Sequence, residues 1–205
     1  ATALKLFLLS FGHKVTIISP TNWAGWVNWM PGTKEVLDFE LKNNKEKVAA
    51  ALQNVDWLFC LDFNAFYRTK TMTETLASMQ CTKILIDHHQ QPDEAAFDYG
   101  ISDTQKSSTC EMVYDIINAS GYADRITPEI AECIYAGVVA DTGSFRFSST
   151  KASVHSLVAD LMNRGLEHMH VHEALYDNFL ENRLKFTGHV LLNRMQVFYE
   201  QNTAL

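Results

Sequence analysis

Residues 56–62, DWLFCLD, and residues 83–89, KILIDHH, decide the fold. Each contains a short apolar run closed at its carboxyl end by an acid, the pattern of a strand buried in a parallel sheet. Residues 71–79 between them carry a helical pattern, and strand, helix, strand in succession marks a βαβ unit. Upstream, residues 15–19 (VTIIS) read as another buried strand, closed by Pro20, and residues 36–40 as a weaker one. Residues 45–53 read as an amphipathic helix, and residues 1–11 (ATALKLFLLSF) as a helical run stopped by Gly12. Downstream, residues 107–120 and 128–140 read as helices, the second with Pro128 in the first helical position after Thr127. From residue 151 to about 201 the pattern is helical throughout, broken near Gly165. The expected architecture is α/β: a mainly parallel sheet flanked by helices, with a C-terminal helical extension.

Composition narrows the function. The chain has 205 residues, 47% of them hydrophobic and 20% charged, which excludes disordered and low-complexity classes. Lys and Arg number 17 against 24 Asp and Glu, a net charge of −7, which argues against a broad basic surface for duplex DNA. Apolar runs stay well short of the roughly 18 residues of a membrane span, and no signal peptide is expected. Cys60, Cys81, Cys110 and Cys133 lie scattered in apolar contexts without a CxxC pair, so buried thiols in a reducing cytoplasm are expected. GxGxxG, GxxxxGK[ST] and GxSxG are all missing, which leaves dinucleotide, P-loop and α/β-hydrolase chemistry without their usual warrant.

The acids and histidines supply the chemistry. Asp62 and the string Asp87, His88, His89 each close a strand, and ligands of open parallel sheets bind beyond the carboxyl ends of the strands. Strands lie about 4.8 Å apart, so neighbouring ends can set ligands around ions about 3.5–4 Å apart. A third acid, Asp141, ends the most apolar stretch (IYAGVVAD), where desolvation is costly without a partner or a cation. Taken singly, Asp62 reads as readily as a helix cap and Asp141 as the start of an Asx-turn. The string DHH is expected by chance only roughly 0.02 times in a chain of this composition, and the three acids together favour a metal site. Mixed carboxylate and imidazole ligands suit Mn²⁺, and zinc with thiolates is disfavoured because no cysteine neighbours these acids in sequence. His168, His170 and His172 alternate, so on a helix they point apart and do not form a site. His13, His155 and His189 are expected at the surface or in helix packing. Trp23, Trp26 and Trp29 are expected to pack a loop on the domain rather than to stack bases.

The DHH tripeptide, the strand-end Asp62, VVADTGSFRF around Asp141 and the helix start SSTCE at residues 107–111 together resemble the DHH family of phosphoesterases. Within it, the chain is most similar to the bifunctional oligoribonuclease/pAp phosphatase group. The resemblance implies a DHH domain over residues 1–148, N-terminally incomplete, and a helical extension over residues 149–205 leading toward a DHHA1 domain. It implies a cytoplasmic Mn²⁺-dependent phosphoesterase in which two ions activate water against short single-stranded RNA or small nucleotide phosphates. It also allows a homodimer. By position, Asp62 would bridge the ions, His88 and Asp141 would hold one of them, Asp87 would support the site, and His89 would face the substrate phosphate. Arg146 and Ser108 are expected on the substrate side.

The same motifs occur in cyclic-dinucleotide phosphodiesterases, single-strand exonucleases and pyrophosphatases, and a non-catalytic nucleotide-binding module could share the fold. The family's first motif, a His followed by two Asp, is expected before Ala1, and its DHHA1 motif after Leu205. Residues 1–205 alone are therefore expected to be inactive or only weakly active.

Overall fold

The computed structural model describes residues 1–21, 25–177 and 180–204. Three parallel strands, β3 (Trp57–Leu61), β4 (Thr82–Asp87) and β5 (Tyr99–Ser102), form the central sheet in that order. Leu61 pairs with Ile86 and Asp87 with Ser102, so all three strands end at one edge. A shorter parallel pair, β1 (Ile18–Ser19) and β2 (Leu37–Asp38), lies upstream. The flanking helices are α1 (Thr2–Leu9), α2 (Lys45–Leu52), α3 (Thr73–Ser78), α4 (Thr109–Ala119), α5 (Pro128–Asp141) and α6 (Ala152–Asn163). The fold is the expected α/β arrangement, a mostly parallel sheet between helices.

The chain divides into two compact units, Ala1–Val171 and His172–Leu205, with α7 (His168–His172) at the division. The core of the first unit is mainly apolar. Ile117, Ala131, Ile134, Val138, Val139, Val154 and Leu161 are fully buried on α4, α5 and α6. Cys60, Phe66, Met72 and Leu76 form a further cluster against which Ile18, Phe39 and Phe97 pack. The second unit holds α8 (Glu181–Asn193) and a short antiparallel pair, β6 (Val197–Phe198) and β7 (Thr203–Ala204). Its Leu184, Phe186 and Leu192 are exposed.

Several sequence expectations need correction. The strand expected over residues 15–19 is paired only at Ile18 and Ser19, and it is half-buried. β3 is buried only at Cys60, with Trp57 exposed, because it is covered less completely than an all-apolar run suggests. β5 is a strand that the sequence pattern does not predict: it is short, exposed and interrupted by Gly100, which normally weakens a strand. Here glycine is required, since a Cβ at residue 100 would lie 2.6 Å from the Leu85 Cβ. The helix over residues 71–79 is α-helical only in α3 and is preceded by 3₁₀ turns over Phe66–Met72. The run after residue 151 is not helical to its end, since β6 and β7 close it. A π-helical turn, Glu173–Asp177, also interrupts it. Cys81 and Cys110 are only partly buried, whereas Cys60 and Cys133 are buried. Among the tryptophans, Trp26 is exposed and Trp29 packs edge-on against His170 at 5.6 Å. Trp23 lies outside the described residues.

Helix α4 crosses α5 closely. The crossing depends on Gly137: a Cβ there would sit 2.1 Å from the Cys110 Sγ and 2.9 Å from its Cβ. Overpacking of this kind costs about 1–3 kcal/mol. Gly137→Ala is expected to lower stability by about 2 kcal/mol in urea unfolding; an unchanged midpoint would show that α4 and α5 can separate without cost.

Candidate metal centre

Because β3 and β4 end in register, Asp62 follows β3 beside Asp87, the last residue of β4, and its N–H donates to the Ile86 carbonyl at 3.1 Å. Asp62 turns out of the strand with φ +68°, a left-handed conformation that Asp and Asn tolerate better than other side chains. This turn exposes the carboxylate beyond the sheet edge. The chain continues from β4 into His88 and His89, and one ligand atom from each of Asp62, His88 and His89 lies within 4.8 Å of the others. Among the described residues, no other group of three His, Cys, Asp or Glu side chains is so arranged.

The hydrogen bonds around the imidazoles decide what the cluster can hold. His88 Nδ1 faces the Lys106 carbonyl at 3.4 Å, and a carbonyl only accepts, so Nδ1 carries the proton. In the neutral ring, His88 Nε2 then presents a lone pair to Asp62 Oδ1 at 3.5 Å. Two acceptors face each other, an arrangement that a cation or an extra proton between them relieves. His89 is built the same way. Its Nδ1 lies 3.1 Å from Asp87 Oδ2, and its backbone N–H donates to Asp87 Oδ1 at 2.5 Å, which leaves Nε2 free. Asp87 itself is fully buried. Imidazoles whose outer nitrogen is tied to a carbonyl or carboxylate are the usual form of histidine metal ligands. The donor set of one carboxylate and two imidazoles therefore fits a divalent ion and marks a single potential metal site.

Asp141 ends α5 outside that cluster but within electrostatic reach of it. Protein packed around its carboxyl pushes the pKa up, the negative charge of Asp62 pushes it further, and His88 and His89 oppose the rise. Two carboxylates that repel one another in this way are ones that a shared cation would stabilise. After Asp141 the backbone makes a tight left-handed turn, with φ +56°, +59° and +65° at Gly143, Ser144 and Phe145. Buried Thr142 holds it: its Oγ1 accepts from the Phe145 N–H at 3.0 Å and its carbonyl from the N–H groups of Arg146 and Phe147. Arg146 is exposed and spends its Nε–H on the Gly143 carbonyl at 2.7 Å.

The remaining site candidate, Ser108, is fully buried as the N-cap of α4, where its Oγ accepts from the Glu111 N–H at 3.0 Å. Glu111 reciprocates one residue further back, its Oε2 accepting from the Ser107 N–H at 2.7 Å, a variant of the capping box. The sequence could show this S-x-x-E pattern but not its consequence. Thr109, the first residue of α4, donates its hydroxyl to Asp62 Oδ1 at 2.9 Å. Nor could it show that Cys110 approaches the acids. Burial raises the Cys110 thiol, and Asp141 and Asp62 raise it further, against the opposing charge of the Ala1 amino group. Burial likewise pushes the Cys60 thiol to about 12 and the Cys133 thiol to about 11, so both are protonated at neutral pH.

Residues 2–138 match the DHH family, N-terminal domain. The chain belongs to the DHH family. It is similar to the bifunctional oligoribonuclease and PAP phosphatase NrnA of Bacillus subtilis, 31% identical over 109 residues, which is 53% of this chain and 34% of that protein. NrnA of Thermus thermophilus is 34% identical over 84 residues, 41% of this chain and 25% of that one. An uncharacterized protein of Mycoplasma genitalium is 36% identical over 93 residues, 45% of this chain and 28% of its own length. The crystal structure of an exopolyphosphatase-related protein from Bacteroides fragilis superposes on 98% of this chain and 58% of that one, with a TM-score of 0.91 and 33% identity. The chain thus aligns with about a third or less of these curated relatives. Family membership and the candidate metal-ligand cluster agree with one another. No helix among the described residues is long and apolar enough to cross a membrane.

The capping carboxylate gives a pH signature. Burial opposes the charged form of Glu111, but the Ser107 N–H, the Ser153 hydroxyl and the Lys106 ammonium outweigh it and hold the carboxyl below its ordinary 4.5. Its stabilisation is therefore complete above pH 4.5 and is lost as pH falls through the lower folded value. Glu111→Gln is expected to cost about 1.5–3 kcal/mol at pH 7, and the deficit should shrink below pH 4.5. Unfolding curves at several pH values check this, and a deficit constant down to pH 3 would contradict it.

Proposed function

We propose that this chain carries the DHH part of a Mn²⁺-dependent phosphoesterase that hydrolyses short oligoribonucleotides and pAp-type nucleotide phosphates in the cytoplasm. The observation that carries the reading is the lone pair of His88 Nε2 facing Asp62 Oδ1 at 3.5 Å beside His89. The relatives' described activities, oligoribonuclease and PAP phosphatase, support the substrate class.

In this reading Asp62, His88 and Asp141 would hold the divalent metal, and Asp87 would orient His89 through the contact at Nδ1. When bound, the divalent metal lowers the pKa of a water and neutralises charge on the phosphoryl oxygens. His89, with Nε2 free, faces the phosphate, and Arg146 and the helix start at Ser108 lie on the substrate side. Residues 149–205 form the link toward a second, substrate-reading domain, and the exposed edge strand β5, with Tyr99 and Ile101 outward, suits pairing with a second copy.

The test is full-length protein with Mn²⁺, assayed in parallel against pAp, short oligoribonucleotides, pyrophosphate and cyclic dinucleotides. Activity on the first two that is abolished by chelator is expected. Preference for pyrophosphate or cyclic dinucleotides would move the protein to another branch of the family. No turnover of any of them would favour a nucleotide-binding module. Asp62→Asn, which keeps size and tolerance of the left-handed turn, should lower turnover at least about 100-fold with an unchanged thermal melt. A loss below tenfold would reduce Asp62 to a structural acid.

A further inference from the structure

The side chain of Asp62 is 52% exposed, at a residue whose backbone is already left-handed. An exposed carboxylate on such a turn is free to rotate unless something outside its own strand fixes it. The described fixed donor is Thr109, whose Oγ1–H reaches Asp62 Oδ1 at 2.9 Å across a sequence separation of 47 residues. Thr109 is itself buried and cannot swing away. Its backbone is set by the cap of α4, where Ser108 Oγ takes the Glu111 N–H and Glu111 Oε2 takes the Ser107 N–H. Glu111 Oε1 also accepts from the Ser153 hydroxyl at 3.1 Å, which ties the cap to α6.

The same stretch of chain holds the opposing ligand. Lys106, one residue before Ser107, offers its carbonyl to His88 Nδ1. Its ammonium is anchored on Asp115 at 2.6 Å and on Glu111 at 3.6 Å. The amino end of α4 thus grips Asp62 through a hydroxyl and His88 through a carbonyl. Each grip leaves a lone pair of the ligand directed at the space between them.

We propose that Thr109 is a positioning residue of the metal centre. Its hydroxyl occupies one lone pair of Asp62 Oδ1 and so fixes the carboxylate in the orientation that meets His88. It does not touch the ion or the substrate. The proposal rests on the metal reading of the Asp62, His88 and His89 cluster. Groups that orient metal ligands in this way typically carry 10–100-fold in metal affinity.

The test is Mn²⁺ binding by titration calorimetry on the full-length protein, in the wild type and in Thr109→Val, Thr109→Ala and Thr109→Ser, each with a thermal melt of the metal-free protein. Thr109→Val keeps shape and loses the donor, and Thr109→Ser keeps the donor. The expected result is a 10–100-fold weaker Mn²⁺ affinity in the Val and Ala variants, wild-type affinity within about threefold in the Ser variant, and melts that do not follow affinity. Equal affinity in all four proteins would overturn the positioning role and leave the metal reading intact. Loss in the Ser variant as large as in Val would overturn it too, because the hydroxyl would then not be what matters. Failure of the wild type to bind Mn²⁺ would overturn the metal reading, and the Thr109 role with it.

Discussion

The parallel register that sets Leu61 against Ile86 is the constraint on which the centre depends. A parallel ladder fixes which residues leave the sheet side by side, and here it releases Asp62 and the Asp87, His88, His89 string at the same edge. A slip of one residue would turn every side chain of β3 to the opposite face. Burial makes such a slip costly, since Cys60 is fully buried on β3 and Leu85 and Ile86 are buried on β4. Placement of the ligands is therefore supported by the core.

Register brings the ligands together, and the amino end of α4 orients them. Between β5 and α4 the chain turns through Asp103 to Ser108. Along it, backbone and side-chain groups meet the centre from outside the sheet: the Asp103 N–H on the Asp87 carbonyl, the Lys106 carbonyl on His88, and the Thr109 hydroxyl on Asp62. A buried carboxylate, Glu111, makes this rigid, at the cost of desolvation that three surrounding donors offset. Asp141 arrives from a different direction, on a helix held against α4 by the absence of a side chain at Gly137. The centre therefore depends on two kinds of contact, a strand ladder and a helix crossing.

The strands that carry the ligands were legible in the sequence because they combine an apolar run with a terminal acid, and β3 and β4 lie within a residue of where that pattern puts them. β5 was not legible. An exposed strand of Tyr, Gly, Ile and Ser is too short and too poor in apolar residues to betray itself, and its glycine is explained only by the neighbouring Leu85. Asp62, His88, His89 and Asp141 could be named as site candidates from residue type and position. Which of them cluster could not: the three ligand atoms within 4.8 Å come from Asp62, His88 and His89, with Asp141 near but apart. The partners from α4 were invisible for a physical reason. They act through a backbone carbonyl and a threonine hydroxyl, groups with no pattern of their own, brought to the ligands by tertiary structure alone.

The central claim is that Asp62 and His88 bind a cation. The most direct measurement is an anomalous difference map at the manganese absorption edge, from crystals of the full-length protein grown with Mn²⁺. The account predicts a peak bonded to an Asp62 carboxylate oxygen and to His88 Nε2. A map with no peak there, or with its strongest peak at the His168, His170 and His172 run, would contradict it.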